Sequence, residues 1–328
     1  MNQAKPYWVG FDLGGTKMLC VVLDDQFKVV ARNRKKTKGI EGAAAGLTRI
    51  SELIEETLSE IGVSHSQLAG IGVGCPGPID WAKGIVSLAV NLGWQNVEIG
   101  SFLSERFDCP VEVLNDVDAG VYGEYRFGAA IGAYSTVGIF PGTGIGGGCV
   151  YDGKILRGRR LTVMEIGHMK ISSSYRSSGV SMTGTLESEA SRLNIASECA
   201  KLAYRGEAPS LYEYAGTDIS KIRSKALATS IKNGDKAVEW VVRQAAQQIG
   251  FAVVNMVHLI GPDIVVLGGG LVEAIPELYL DEVNQVTRKN VLECYSDTFE
   301  IRTAKLGDDA GAMGAAAFVA SLVEPNAS

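Results

Sequence analysis

Hydrophobic positions near the N-terminus fall into short runs separated by turn residues. Three runs rich in β-branched and aromatic residues are joined by a glycine turn and by an Asp-Asp turn, which predicts strands at 8–13, 18–23 and 28–33. Apolar residues then recur at helical spacing and predict an amphipathic helix over about 43–61. Further along, the pattern predicts a strand at 68–75, a strand beginning at 111 and a helix at 116–126.

The second half of the chain repeats this plan. A second glycine turn lies between two β-rich runs, and the pattern then favours helices before a further strand and a third glycine turn. The expected elements are strands at 135–140 and 147–151, helices at about 185–204, 218–232 and 236–259, a strand at 264–267 followed by another helix, and an Ala/Gly-rich helix at 308–322. Two halves that each begin with a glycine hairpin predict a duplicated α/β fold with its cleft between the halves.

The two glycine turns are candidate phosphate-binding loops. They have the sequences FDLGGTK (11–17) and FPGTGIGGG (140–148). Glycine has no Cβ, so successive backbone N–H groups can approach phosphate oxygens and form an anion-binding concavity. Two such loops facing each other could hold a triphosphate from both sides. The alternative is a pair of ordinary tight β-hairpins.

Neither loop is one of the better known nucleotide motifs. The first resembles a P-loop, but Thr16 precedes Lys17 and a strand-like segment follows where a P-loop requires a helix. The second contains G-x-G-x-x-G, but the residues after it predict a strand, so no helix N-terminus is expected to meet a pyrophosphate. Both loops therefore predict the arrangement strand, glycine turn, strand.

Composition excludes several classes of protein. The 328 residues have a formal net charge of −6, which offers no electrostatic basis for binding nucleic acid. The six cysteines are scattered without a C-x-x-C pair, as is typical of buried thiols in a reducing compartment. No signal-peptide pattern and no apolar run of about 18 residues occurs, so we expect a cytoplasmic protein without a membrane partner.

Seven motifs in order give the chain a family resemblance. It resembles the ROK-type sugar kinases, the bacterial glucokinase branch of the actin-like, hexokinase-like ATPase fold. The motifs are DLGGTK at Asp12, GCPGPID at Gly74, NLGW at Asn91, LNDVDAGVYGE at Leu114, GTGIGGG at Gly142, EIGH at Glu165 and LGGG at Leu267. The resemblance implies two α/β domains with a central cleft: a small domain of 1–117 with the C-terminal helix 306–328, and a large domain of 118–305.

The resemblance also implies ATP and Mg²⁺ as cofactors. Phosphoryl transfer needs positioning, charge neutralisation by Mg²⁺ and a base near the attacking hydroxyl. Asp12 is expected to approach Mg²⁺ through an indirect contact, although a turn-capping role is the alternative. The residues expected to contact the nucleotide are Asp12, Gly14, Gly15, Thr16, Lys17, Gly142, Thr143, Gly144, Gly268, Gly269 and Gly270.

Asp116 is the expected catalytic base. It would accept the proton of the sugar 6-hydroxyl, but its position between a strand and a helix also suits an N-cap. For Glu165 and His168 the alternatives to sugar binding are a solvated carboxylate and a core imidazole. The residues expected to bind the hexose, by resemblance, are Asn91, Asn115, Asp116, Glu165, His168 and Glu187.

The chain departs from the family at a metal site. The family usually continues from the histidine into C-x-C-G-x-x-G-C-x-E, where three thiolates and the histidine hold a structural Zn²⁺. Here Ser178, Val180 and Thr185 occupy the cysteine positions, while Glu187 is retained. Neutral side chains cannot replace thiolates as zinc ligands, so we expect no zinc site. Another interaction must then stabilise the segment between His168 and Glu187.

Three classes of function are considered. The first is ATP-dependent phosphorylation of a hexose, with glucose at the 6-hydroxyl as the leading expectation and N-acetylmannosamine, N-acetylglucosamine or fructose as alternatives. The second, a sugar-responsive repressor, requires a DNA-binding segment for which the first hairpin, about ten residues in, leaves no room. The third is a sugar-binding protein without catalysis. The resemblance suggests a homodimer, and polyphosphate remains an alternative phosphate donor.

Overall fold

The computed structural model describes residues 7–324. The chain forms two compact units, which we call the first and second units. The first comprises Met1–Ile131, Cys149–Val163 and Asp308–Ser328, and the second comprises Gly132–Gly148 and Met164–Gly307. The predicted domains, 1–117 with 306–328 and 118–305, stay a prediction, and their terminal residues 1–6 and 325–328 lie outside the described part.

Strands and helices alternate through the described residues. The strands are β1 (Tyr7–Leu13), β2 (Lys17–Leu23), β3 (Val29–Lys36), β4 (Leu68–Cys75), β5 (Ile79–Asp80), β6 (Ile85–Ala89), β7 (Trp94–Val97), β8 (Val111–Asn115), β9 (Ser135–Pro141), β10 (Ile145–Tyr151), β11 (Lys154–Ile155), β12 (Ile264–Leu267) and β13 (Glu300–Thr303). The helices are α1 (Ala43–Glu60), α2 (Ile99–Phe107), α3 (Asp116–Phe127), α4 (Leu186–Ala190), α5 (Arg192–Tyr204), α6 (Pro209–Ala215), α7 (Ser224–Lys232), α8 (Lys236–Leu259), α9 (Gly269–Ala274), α10 (Pro276–Asn290) and α11 (Ala310–Val323).

The main sheet of the first unit has the order β3-β2-β1-β4-β8. β1 pairs antiparallel with β2 and parallel with β4, and β4 pairs parallel with β8. Side chains alternate between the two faces of β1: Phe11 packs in a core with α1 and α2, whereas Trp8 packs with the small residues of α11. Both faces of the sheet are therefore buried, which explains the continuous apolar runs in its central strands.

Helix α11 approaches this sheet very closely because both surfaces lack bulky side chains. A Cβ on Gly72 of β4 would overlap the backbone carbonyl of Ala315, and one on Gly314 would overlap the backbone carbonyl of Ala119 in α3. The small residues of α11 let its backbone lie against both elements. Helix α11 is therefore packed into the core of the first unit.

A second five-stranded sheet repeats the order of the first. Its order is β11-β10-β9-β12-β13, in which β9 takes the place of β1 and β12 takes that of β4. β12 pairs parallel with both β9 and β13, as β4 does with β1 and β8. The prediction of a duplicated α/β fold is confirmed by this repeated strand order.

Several elements differ from the sequence prediction. The three-stranded sheet β5-β6-β7 and helix α2 were not predicted, because their segments are too short for a periodic signal. The helix expected at 185–204 is two helices, since Ser191 is extended and accepts a hydrogen bond from the Asn194 N–H. The helix expected from residue 218 begins at Ser224, and α6, with Pro209 in its first turn, precedes it.

Most of the cysteines are buried, as their scattered positions predicted. Five cysteines are buried, Cys294 is exposed, and all six are free thiols. Burial raises the pKa of Cys149 to about 11, so this thiol is protonated at neutral pH. Between residues 7 and 324, none of the helices has the length and apolarity to cross a membrane.

Candidate active site

The first glycine turn joins β1 to β2 and is held in place by one buried threonine. The Thr37 hydroxyl donates to the Gly14 carbonyl at 2.6 Å, and the Thr37 N–H donates to the Thr16 carbonyl at 3.0 Å. A Cβ on Gly14 would lie 2.7 Å from the Lys17 carbonyl oxygen, so the turn requires glycine there. Thr37 follows a strongly charged strand, and no motif or periodic pattern in the sequence indicates that it holds the turn.

Asp12 lies near the end of β1, and Asp116 follows the end of β8, the two strands that flank β4 in the first unit. Asp12 pairs in register with Gly74 of β4, and a Cβ on Gly74 would lie only 3.6 Å from the Asp116 Cα. Burial, together with the nearby carboxylates of Asp116 and Asp308, raises the pKa of Asp12 to about 7. The structure therefore places the expected catalytic base, Asp116, and the carboxylate expected to approach Mg²⁺, Asp12, at the same edge of the sheet.

Capping of α3 is performed by Asn115. Its Oδ1 accepts hydrogen bonds from the N–H groups of Val117 at 2.9 Å and Asp118 at 3.3 Å, and its amide donates to the Gly77 carbonyl at 3.2 Å. Asp116 is the first residue of the helix, and its Oδ1 accepts from the Val117 N–H at 3.0 Å. Helix capping thus does not depend on the Asp116 carboxylate.

Charged and polar side chains surround the first turn. Asp308, at the start of the C-terminal segment, pairs with Lys17 at 3.0 Å and with Arg34 at 2.9 Å. These cations lower the pKa of Asp12, against the larger effect of burial. Asn91 packs against the turn, since a Cβ on Gly15 would lie 3.2 Å from the Asn91 Cβ.

The second glycine turn is tied to the helix that follows Glu187. The Gly142 N–H donates to the Gly144 carbonyl at 2.8 Å, and the Gly142 carbonyl accepts from the Arg192 N–H at 2.9 Å. The Arg192 guanidinium also donates to the Thr143 hydroxyl at 2.7 Å. Burial lowers the pKa of Arg192, and the nearby charge of Arg223 lowers it further. Sequence reasoning did not select Arg192, because no motif includes it.

The third glycine segment lies beside the second. Parallel pairing of β9 with β12 aligns Ile139 with Leu267, and the Gly268 N–H donates to the Ile139 carbonyl at 3.2 Å. Gly269 has a φ of 81°, and a Cβ there would lie 2.9 Å from the Pro141 carbonyl oxygen. The predicted nucleotide residues of the second unit, 142–144 and 268–270, therefore come together at adjacent strand ends.

Glu187 lies directly against the second glycine turn. Its carboxylate accepts the Ile145 N–H at 3.0 Å, and a Cβ on Gly144 would overlap that carboxylate. Glu165 and His168 lie at the two ends of one helical turn, with the Glu165 Oε2 and the His168 Nε2 4.0 Å apart. The His168 Nδ1 is buried, and the described residues provide it with no hydrogen-bond partner.

The family resemblance concerns two metals, Mg²⁺ and Zn²⁺, and the residues of this chain suit only the first. Asp12 provides the carboxylate oxygens that Mg²⁺ prefers, and a cation there would relieve its repulsion with Asp116. The zinc ligands are different. Val180 is an exposed hydrocarbon, and the Thr185 hydroxyl already accepts the Ser188 N–H at 3.1 Å. Within residues 7–324, no group of three His, Cys, Asp or Glu side chains could hold a metal ion. Zinc does not fit these residues.

Comparison with known proteins places the chain in a family. Residues 8–321 match the ROK family. A glucokinase from Halalkalibacterium halodurans is 33% identical over 312 residues, which cover 94% of this chain and 93% of the relative. A xylose repressor from Caldicellulosiruptor bescii is 27% identical, over 95% of this chain and 78% of its own length. The crystal structure of a ROK family glucokinase from Streptomyces griseus in complex with glucose and AMPPNP is 26% identical, with a TM-score of 0.78 over 95% of this chain and 98% of that chain.

These matches agree with the features described above. The repeated strand order is that of the duplicated actin-like, hexokinase-like ATPase fold, and in each five-stranded sheet a glycine turn follows the strand that comes first in sequence. The resemblance drawn from the motifs is confirmed. The chain belongs to the ROK family and is a sugar kinase.

Proposed function

We propose that this kinase transfers the γ-phosphoryl group of ATP to the 6-hydroxyl of a hexose, with glucose as the first candidate. The observation that supports it most strongly is the Asp12 and Asp116 pair, two carboxylates at the ends of the two strands that flank β4, one with a pKa of about 7. Buried carboxylates with perturbed pKa values are typical of functional sites. The glucokinase relative and the glucokinase structure with glucose and AMPPNP support the choice of sugar and donor.

In the proposed mechanism Asp116 accepts the proton of the sugar 6-hydroxyl. The sugar oxygen forms its bond to the γ-phosphorus as the bond from that phosphorus to the β,γ-bridging oxygen breaks, and ADP leaves with the electron pair. Asp12 would hold Mg²⁺ indirectly, and the bound ion would neutralise charge on the phosphates. The turns at Gly14 and Gly142 would donate N–H groups to the phosphates.

Sugar recognition is assigned to the polar residues that the resemblance selected. A buried sugar hydroxyl left unpaired costs about 1–3 kcal/mol, so a ring of donors and acceptors is needed. Asn91, Asn115, Glu165, His168 and Glu187 are proposed to supply it. Asn115 Oδ1 already accepts two backbone N–H groups. Asn115 would therefore contact the sugar through the hydrogen-bonding capacity that its side-chain amide has left. The alternative substrates are N-acetylmannosamine, N-acetylglucosamine and fructose.

The proposal is tested with a coupled ADP-release assay. Purified protein is incubated with Mg·ATP and a panel of hexoses, and polyphosphate replaces ATP in a parallel series. The expected result is turnover with ATP and glucose, with the preferred sugar identified by the highest kcat/KM. No turnover with any sugar would favour a sugar-binding protein without catalysis. A homodimer and a cytoplasmic location stay predictions.

The Arg192→Ala variant is expected to raise KM for ATP by about ten-fold. Its guanidinium holds the Thr143 hydroxyl, and loss of one hydrogen bond to a charged group costs about 1.5–3 kcal/mol. KM for the sugar should change little. The matched control is Arg205→Ala, since Arg205 lies at the end of the same helix and pairs at the surface with Glu207. Equal effects of the two variants on the KM for ATP would contradict the role of Arg192.

A further inference from the structure

Three side chains of the segment between His168 and Glu187 converge on one carboxylate. The Glu189 Oε1 accepts the Ser172 hydroxyl at 2.9 Å and also the Ser174 hydroxyl. Its Oε2 accepts the Arg176 guanidinium at 3.3 Å. The Glu189 side chain is only 10% exposed, whereas Ser172 and Arg176 are exposed. Hydrogen bonds to an ionised carboxylate are stronger than those between neutral groups.

Glu189 belongs to the same short helix as Glu187. Helix α4 begins with a capping box in which the Thr185 N–H donates to the Ser188 hydroxyl at 2.9 Å and the Ser188 N–H donates to the Thr185 hydroxyl at 3.1 Å. Glu187 points to the second glycine turn, where it accepts the Ile145 N–H. One helix therefore carries one carboxylate bound to the glycine turn and another bound to the preceding segment.

The segment also has internal backbone bonds. The Ile171 N–H donates to the Gly184 carbonyl at 3.0 Å, and the Ser178 N–H donates to the Met182 carbonyl at 2.7 Å. These bonds close a hairpin, and the Glu189 carboxylate ties the first arm of that hairpin to α4. The segment that a metal cross-links in the family is thus held here by hydroxyl and guanidinium bonds to a carboxylate.

We propose that Glu189 is a positioning residue that holds the segment 172–184 against α4 and so fixes the Glu187 carboxylate for sugar binding, in place of the structural zinc of the family. This inference rests on the proposed function for the sugar contact of Glu187. The brace itself, Glu189 with Ser172, Ser174 and Arg176, is independent of that function. The protein is therefore expected to need no zinc.

The first test compares Glu189→Ala with Glu198→Ala. Both carboxylates contact Arg176, at 3.3 Å and 3.8 Å, but the serine hydroxyls donate to Glu189. Glu189→Ala is expected to raise KM for the sugar about ten-fold and leave KM for ATP unchanged, and Glu189→Gln, which retains an acceptor oxygen, should recover part of the loss. Glu198→Ala should match the unmodified protein. Equal changes in both KM values would indicate general destabilisation and overturn the positioning role.

The second test measures amide hydrogen exchange and does not require activity. Exchange at the amides of Ile171, Ser178 and Gly184 should be faster in Glu189→Ala than in the unmodified protein and in Glu198→Ala. Treating the unmodified protein with a zinc chelator should change nothing, and metal analysis should find no zinc. Unchanged exchange in Glu189→Ala, faster exchange after chelation, or about one zinc per chain would each overturn the proposal. If the unmodified protein showed no turnover, the proposed function would be contradicted. Hydrogen exchange would still show whether Glu189 holds the segment 172–184.

Discussion

Asp116→Asn is expected to lower kcat by about 10²–10⁴-fold, the usual contribution of a positioned general base. An amide has nearly the shape of a carboxylate but cannot accept a proton from the sugar hydroxyl. The hydrogen bond from the Val117 N–H can be kept by the amide oxygen, and Asn115 continues to cap α3. The loss should therefore appear in kcat, with KM for the sugar little changed and the fold intact.

Steady-state kinetics with ATP and the preferred hexose measures this effect. The matched control is Asp108→Asn, the same change at an exposed position at the end of α2, where φ is 50° and asparagine is well tolerated. The control should retain normal kcat. An Asp116→Asn protein with turnover close to that of the control would remove Asp116 as the base.

Gly72→Ala is expected to destabilise the protein by about 3 kcal/mol or more, because the added Cβ meets backbone atoms. It would overlap the carbonyl of Ala315 in α11, and a backbone carbonyl cannot move aside as the end of a flexible side chain can. Helix α11 would have to shift away from β1 and β4. Since Asp12 lies against Gly311 of the same helix, activity should fall with stability.

Urea unfolding followed by circular dichroism measures the free energy of unfolding. The matched control is Gly120→Ala in α3, where an added Cβ would have no neighbour within 4 Å and alanine favours the helix by up to about 1 kcal/mol. The two variants should shift the urea midpoint in opposite directions. A Gly72→Ala midpoint equal to that of the unmodified protein would show that α11 packs less tightly than described.

The raised pKa of Asp12 shows why motifs alone describe this site incompletely. The motif DLGGTK identified Asp12, but its pKa of about 7 depends on burial and on Asp116 and Asp308, which are distant in sequence. In the same way, Asp116 alone suited both an N-cap and a catalytic base. The structure assigns the N-cap to Asn115, and the catalytic role of Asp116 stays a proposal. Local sequence contains the candidate groups, whereas their protonation depends on neighbours that folding brings together.

The sequence did not predict the roles of three residues, Arg192, Thr37 and Glu189. Each acts through a contact with residues distant in the sequence or through a short irregular segment. Arg192 binds Thr143 across 49 positions, and Thr37 holds a turn that lies 23 positions before it. Glu189 is two residues beyond the last position of the altered zinc motif, so the sequence showed the lost ligands but not the replacement. Such residues have no periodic or motif signal.

The sequence by itself determined the duplicated α/β plan, the three glycine turns, the order of the family motifs and the absence of zinc-binding thiolates. Hydrophobic periodicity, glycine and ligand chemistry are local properties, so they can be recognised without coordinates. The tertiary structure alone decided which residue caps α3, which side chains hold each glycine turn, how α11 packs on β4, and which carboxylate braces the segment before Glu187. These depend on distances between residues far apart in the chain, and hydrogen bonds and steric overlap act only over a few ångströms.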